Sequence, residues 1–256
     1  MPAGFLFMEA SMNINKSFAY IFEDKQWLTK LGIGALISMV PILNFAWLGY
    51  MIGIIRNVIN NEVEPLPDWS EMGKRFTDGL VFSLAGLVYS LPMLLVVCLP
   101  LGFIAIPAMI SSGGNMQDVA DALAATGGVL FMCLMCLFAV YALALSVLYP
   151  AIQVHFARQG TFASCFKLRE IFSLVSRNSG PFFTAWLVSI GASLVVSFAA
   201  GILGALIGWI PCLGQLVVLV VSLGAMVILM AVYAHLFGQF GAMAYSQDAE
   251  ITPAKT

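Results

Sequence analysis

His155, His235, Gln239 and Arg56 are the residues best suited to act on a ligand, because each can offer hydrogen bonds or positive charge to an anion or a polar headgroup. His235 and Gln239 are four residues apart and would share one face of a helix. His155 stands beside Gln153 and Arg158. Gathered around a polar vestibule, the four could hold a lipid headgroup or a small anion. Taken singly, each is an interfacial side chain reaching for headgroups. Catalytic sets are missing: there is no Gly-rich phosphate loop, no Ser/His/Asp order, no His-x-x-x-His and no Glu-x-x-His. Cys133 and Cys136 have the C-x-x-C spacing but sit in an apolar run without His or acidic neighbours, so packing is favoured over metal or redox chemistry. Cys98, Cys165 and Cys212 are scattered and imply no disulfide framework. No catalytic residue, metal or cofactor is expected, and the chain does not read as an enzyme.

Such side chains need a scaffold, and the composition says which solvent it faces. Of 256 residues, 61% are hydrophobic and 9% charged, against about 45–50% and about 25% in soluble domains. Mean hydropathy is +0.97. A water-soluble core cannot absorb that excess, so membrane lipids must. A net charge of −2 with dispersed basic residues excludes nucleic acid as a partner. Residues 1–8 are apolar but lack a basic n-region and lead into Glu9, unlike a cleaved signal peptide.

Apolar runs fall at about 28–60, 80–110, 127–157, 181–209 and 212–245, each longer than the roughly 20 residues that cross a bilayer. They are continuous and rich in Leu, Ala, Gly and Val, which predicts helices, not alternating barrel strands. Asp, Glu and Lys are missing from their middles, which argues against a carboxylate proton relay. Basic residues flank the first run on both sides (Lys16, Lys25 and Lys30, then Arg56, Lys74 and Arg75) and recur between the third and fourth (Arg158, Lys167, Arg169, Arg177). By contrast, 111–128 and 209–214 carry none. The positive-inside rule puts the basic segments and both termini in the cytoplasm, as expected of a multi-pass protein of a cytoplasmic (inner) membrane. The first run must then cross an even number of times. Pro41 and Asn44 offer the break, giving two short helices at about 27–40 and 44–60. A turn inside the bilayer is the alternative, since about 14 residues span only about 21 Å.

Ile210-Pro211-Cys212-Leu213-Gly214 repeats the break of Val40-Pro41-Ile42-Leu43-Asn44. An amphipathic segment precedes each pair: Ile14, Phe18, Ile21 and Phe22 form one apolar face, and Leu168, Ile171, Phe172 and Val175 the other. The fold expected is all-α, a polytopic transmembrane helical bundle of about six helices with interfacial helices and an internal duplication. Its single domain, 1–256, comprises an amphipathic helix (11–26), a hairpin (27–60), a cytoplasmic loop (61–79), central helices (80–110 and 127–157), a second amphipathic helix (162–178), a C-terminal hairpin (181–245) and a tail (246–256). Pro92, Pro100 and Pro107 should kink or break the second run. Gly49-x-x-x-Gly53 and Gly204-x-x-x-Gly208 permit close helix approach.

In the loop, Asp68 and Glu71 have capping-box spacing, which predicts a short helix from Trp69 to about Phe76 with Trp69 as headgroup anchor. Glu64, Pro67, Asp68 and Trp69 thereby form a candidate cytoplasmic docking segment. These residues also carry a resemblance. The run from Gly49-Tyr50 to Arg56, then Glu64-Pro65-Leu66-Pro67-Asp68-Trp69, Gly73, Phe76 and Asp78-Gly79-Leu80, resembles bacterial and archaeal membrane proteins of the domain-of-unknown-function 4013 family. Phe18-Ala19-Tyr20, Phe22, Asp24-Lys25, Trp27 and Lys30 extend the likeness upstream, and 160–245 continue it more weakly. A wider resemblance is to the membrane domain fused to some glycerophosphodiester phosphodiesterases. Neither carries a catalytic motif onto this chain.

Two functions follow as expectations. The first is a non-enzymatic structural or assembly component that organises a membrane-protein partner or a homo-oligomer. The second is a carrier of lipid or small amphiphiles, which would require a cavity lined by polar groups such as Asn44, Tyr89, Ser90, Tyr141 or Gln215.

Overall fold

A computed structural model describes residues 12–111 and 117–251, with side chains except at 95–97, 99–111, 117–127, 130 and 248–251. Among the described residues the regular elements are all helical: α1 (Ile14–Glu23), α2 (Trp27–Ser38), α3 (Asn44–Ile59), α4 (Met72–Ser111), α5 (Gln117–Gln159), α6 (Leu168–Arg177), α7 (Ser179–Ile207) and α8 (Leu213–Ile251). Four stretches are long and apolar enough to cross a membrane: Trp69–Leu94, Phe131–Gln159, Ser179–Ile207 and Leu213–Gln247. The protein is a membrane-embedded helical bundle.

Local chemistry sets the helix boundaries. Asn13 caps α1 by accepting the Lys16 amide at 2.9 Å, satisfying a donor left free at the helix start. Asp24 ends α1 in extended backbone, and its carboxylate accepts the Gln26 amide at 2.7 Å ahead of α2. The two proline turns are built alike. In the first, the Val40 amide bonds the Ile37 carbonyl at 3.1 Å and the Asn44 amide that of Val40 at 2.9 Å. In the second, Ile210 bonds Ile207 and Gly214 bonds Ile210, each at 3.1 Å. With a ten-residue amphipathic helix before each hairpin, the duplicated plan extends from sequence to backbone hydrogen bonding.

The hairpins differ in length. With 12 residues in α2 and 16 in α3, the first pair reaches about 18 and 24 Å at 1.5 Å per residue, short of an apolar layer of about 30 Å. Yet α3 is the centre of the core. Ala46, Trp47, Tyr50, Met51, Ile52, Ile54 and Ile55 are buried, so the helix is covered on every side. Trp47 Nε1 donates to the Met230 sulfur of α8 at 3.2 Å. Two glycines of α8 admit the end of α3: a Cβ on Gly238 would meet Val58, and one on Gly241 would meet Val154 and Ile59. Phe182 of α7 packs edge-on to Phe237 and Phe240 at 5.8 and 5.2 Å.

Several expectations need correction. No separate interfacial helix precedes the second run: Trp69–Glu71 is one 3₁₀ turn that continues directly into α4. Nothing in residues 76–80 breaks a helix strongly, so the amphipathic start and the apolar run belong to one continuous helix. The same helix continues through Pro92, Pro100 and Pro107 without a break, the outcome in which these prolines at most kink it. The capping box is not formed, because Asp68 makes no cap bond and pairs instead with Lys30 at 3.1 Å. Among the described residues two compact units are distinguished, one from 12–83 and 150–251 and the other within 84–149. In the second unit the Tyr141 hydroxyl donates to the Tyr89 carbonyl at 2.7 Å, joining α5 to α4.

Candidate functional site

The four residues proposed for one vestibule have separate partners. His235 and Gln239, four apart on α8, form one cluster with α1. The Asn13 amide donates to Gln239 Oε1 at 2.8 Å, while Gln239 Nε2 lies 2.9 Å from Ser17 Oγ and 3.1 Å from His235 Nδ1. Ser17 Oγ is 3.0 Å from the same Nδ1. Tyr20 stacks on the His235 ring at 4.2 Å and donates to the Ala231 carbonyl at 2.9 Å. Burial holds the Tyr20 hydroxyl well above its ordinary pKa, so it remains a donor. These bonds fasten α1 across α8. Beside them lies a groove of about 1300 Å³, bordered by Asn13, Lys16, Val58, Glu62, His235 and Gln239.

Arg56 belongs to a second cluster, at the end of α3. Its Nη1 pairs with Asp78 of α4 at 2.8 Å, and its Nε donates to the Ala157 carbonyl of α5 at 3.0 Å. One guanidinium thus ties three helix ends. Next to it is a set of buried charged groups, Asp24, Lys30 and Arg75. Lys30 is 6% exposed; its ammonium contacts Asp24 at 2.8 Å, Asp68 at 3.1 Å and the Leu66 carbonyl at 3.1 Å. All three of its donors are satisfied, the condition under which a buried ammonium is tolerated. Arg75 lies against α3, where Gly49 and Gly53 make room: a Cβ on Gly49 would overlap the Arg75 carbonyl. The first small-x-x-x-small pair therefore packs within the bundle. Of the second, Gly208 caps the end of α7 and Gly204 approaches only Val218.

The predicted docking segment is divided: Glu64 and Asp68 are exposed, Pro67 is buried and Trp69 half-buried. Asp68 is held by Lys30. Trp69 stacks on Tyr50 at 4.6 Å and donates Nε1 to the Lys30 carbonyl at 2.8 Å. It clamps the start of α2. Residues 64–69 strap the charged ends of α2, α3 and α4 together. Sequence did carry a signal for this cluster: Asp24, Lys30, Arg56, Asp68 and Asp78 are all among the residues of the family resemblance.

His155, in a third cluster, lies 3.2 Å from the Tyr245 hydroxyl, 2.9 Å from Gln159 Nε2 and 3.4 Å from Glu170 Oε2. Lys167 hydrogen bonding draws the Glu170 carboxyl below its usual pKa. Nearby, burial pushes the Cys165 thiol up to about 11. Among the described residues no group of three His, Cys, Asp or Glu side chains could hold a metal ion. Both histidines serve as hydrogen-bonding cross-braces.

The profile of the family described as "Protein of unknown function (DUF4013)" matches residues 33–205. The chain belongs to this family. The match takes in α3, the strap at 64–69 and the start of α4, so the Arg56–Asp78 pair and the Tyr50–Trp69 stack lie inside the family region. No curated protein and no solved structure matches the chain.

Proposed function

We propose that the chain is a non-enzymatic component of the bacterial cytoplasmic membrane, with both termini in the cytoplasm, that organises or stabilises a membrane-protein partner. The observation that carries this reading is the surface of α7. Ser193, Ser197, Gly201 and Ala205 recur every four residues and are exposed, and a Cβ on Gly201 would meet nothing within 4 Å. Aligned small residues give a second helix a flat ridge for close van der Waals approach, the main source of helix association in lipid. The orientation rests on the basic residues Arg56, Lys74, Arg75, Arg158, Lys167, Arg169 and Arg177, at the ends opposite the two uncharged proline turns.

The carrier reading gains support from the groove beside α1 and α8. Against it, the polar groups singled out for a cavity have other positions: Asn44 and Gln215 are exposed next to the turns, Ser90 bonds the Leu87 carbonyl and Tyr141 that of Tyr89. Gentle purification followed by mass spectrometry of proteins and lipids separates the two. The assembly reading expects a stoichiometric membrane protein that Gly201→Ile releases while the chain stays folded. A stoichiometric amphiphile with no protein partner would overturn it in favour of carriage.

A further inference from the structure

Where α5 and α8 end and α6 begins, His155, Gln159, Arg169, Glu170, Ser173 and Tyr245 line a cavity of about 320 Å³. The only acid in that set is Glu170. Its Oε2 stands 3.4 Å from His155 Nε2, from Gln159 Nε2 and from Lys167 Nζ, its Oε1 is 3.2 Å from the same Lys167 Nζ, and its side chain is 53% exposed. Contacts of that length are weak hydrogen bonds. A carboxylate therefore occupies the space on a half-exposed side chain whose one ion-pair partner, Lys167, is itself 44% exposed and can move out with it. The surroundings favour an anion: from Arg158 to Arg177 the chain has four basic residues, Arg158, Lys167, Arg169 and Arg177, and one acid, Glu170.

An apolar path adjoins the mouth. Leu168 and Phe172 of α6 are 49% and 66% exposed, each one residue before Arg169 and Ser173, so the apolar and polar stripes run side by side along the helix. The inner face, Ile171, Leu174 and Val175, is buried in the bundle. This fits a helix lying at the lipid surface, with basic and hydroxyl groups at headgroup level beside an exposed apolar edge.

We propose that this cavity binds the phosphodiester of an anionic glycerophospholipid. Arg169 forks onto the phosphate oxygens, Gln159 and Ser173 donate to them, and Glu170 swings out into water. The acyl chains follow Leu168 and Phe172. The site is independent of the α7 ridge, so it stands or falls separately from the assembly role.

The test titrates the full chain, in detergent, with dioleoyl phosphatidylglycerol, dioleoyl phosphatidylcholine or inorganic phosphate, reading bound lipid by native mass spectrometry and the unfolding midpoint of each sample. One phosphatidylglycerol should bind saturably, in preference to phosphatidylcholine. Arg169→Ala should weaken it about tenfold, the loss expected of a charge-assisted fork. Lys25→Ala, which removes an exposed cation elsewhere, should change it less than about twofold. Glu170→Gln should tighten binding by removing the resident competitor. Ser173→Leu, which fills the mouth without altering charge, should weaken it. Equal losses in Arg169→Ala and Lys25→Ala would reduce the effect to general surface charge. Stabilisation by phosphate matching that by lipid, or unaltered binding in Ser173→Leu, would also overturn the proposal.

Discussion

At the scale of single residues, the bundle depends on charges whose partners arrive from elsewhere in the chain. Lys30 is satisfied only when the strap brings Asp68 and the Leu66 carbonyl to it. Lys30→Met should leave Asp24 buried without its partner and cost about 3–5 kcal/mol, whereas pairing it with Asp24→Asn should recover most of the loss. Denaturant titration of the purified protein reads both. These pairings were not legible in sequence, since Asp24, Lys30 and Asp68 become neighbours only after α2 has packed against the strap. The contacts of Trp69 have a similar cause: an aromatic residue at helical spacing suits a lipid interface and a protein interface equally, and the stack on Tyr50 becomes visible only in the fold. Cys165 supplies a pH prediction. With its thiol raised to about 11 by burial, a variant retaining that cysteine alone should resist maleimide at pH 7.5 and become reactive as the pH approaches that value or on unfolding. Rapid labelling of the folded protein at pH 7.5 would show that the thiol is not enclosed.

At the scale of elements, glycine decides where helices touch. Gly49 of α3 and Gly79 of α4 face each other's neighbourhood, since a Cβ on Gly79 would strike the Phe45 carbonyl. Gly49→Val should therefore force the two helices apart and cost about 1–3 kcal/mol, while Gly201→Val, facing open space, should stay within about 0.5 kcal/mol. Unfolding midpoints of the two variants compare them directly. The short first hairpin gives another prediction. Because α2 and α3 fall short of a bilayer, Leu43→Cys in a chain without other cysteines should be shielded from aqueous maleimide by lipid, although Leu43 is exposed on the protein. Labelling as fast as Cys212 would mean that the turn reaches water. The hairpin bounds were readable from Pro41, Pro211 and the apolar runs. The union of the Trp69 turn with α4 was not, because a change in composition from polar to apolar does not end a helix when the backbone has no breaker.

At the scale of the molecule, the charged ends and the proline turns divide the chain into two kinds of surface. Arg56, Asp78, Lys30 and Asp24 bind helix ends to one another, and the turns at 39–43 and 208–212 carry no charge. Membrane assignment was legible because the composition forces it, and helical class because the apolar runs are continuous and long. The all-round burial of α3 was hidden, since a helix covered by protein and a helix covered by lipid have the same apolar sequence. The central claim is that the charged ends and the second proline turn lie on opposite sides of the membrane. It is tested most directly by labelling intact cells with a membrane-impermeant maleimide, using two single-cysteine chains: one retaining Cys212, the other Val63→Cys in the strap, where Val63 is 95% exposed. Cys212 should label in intact cells and the Val63→Cys chain only after the membrane is permeabilised. Labelling of both from the same side would contradict the account.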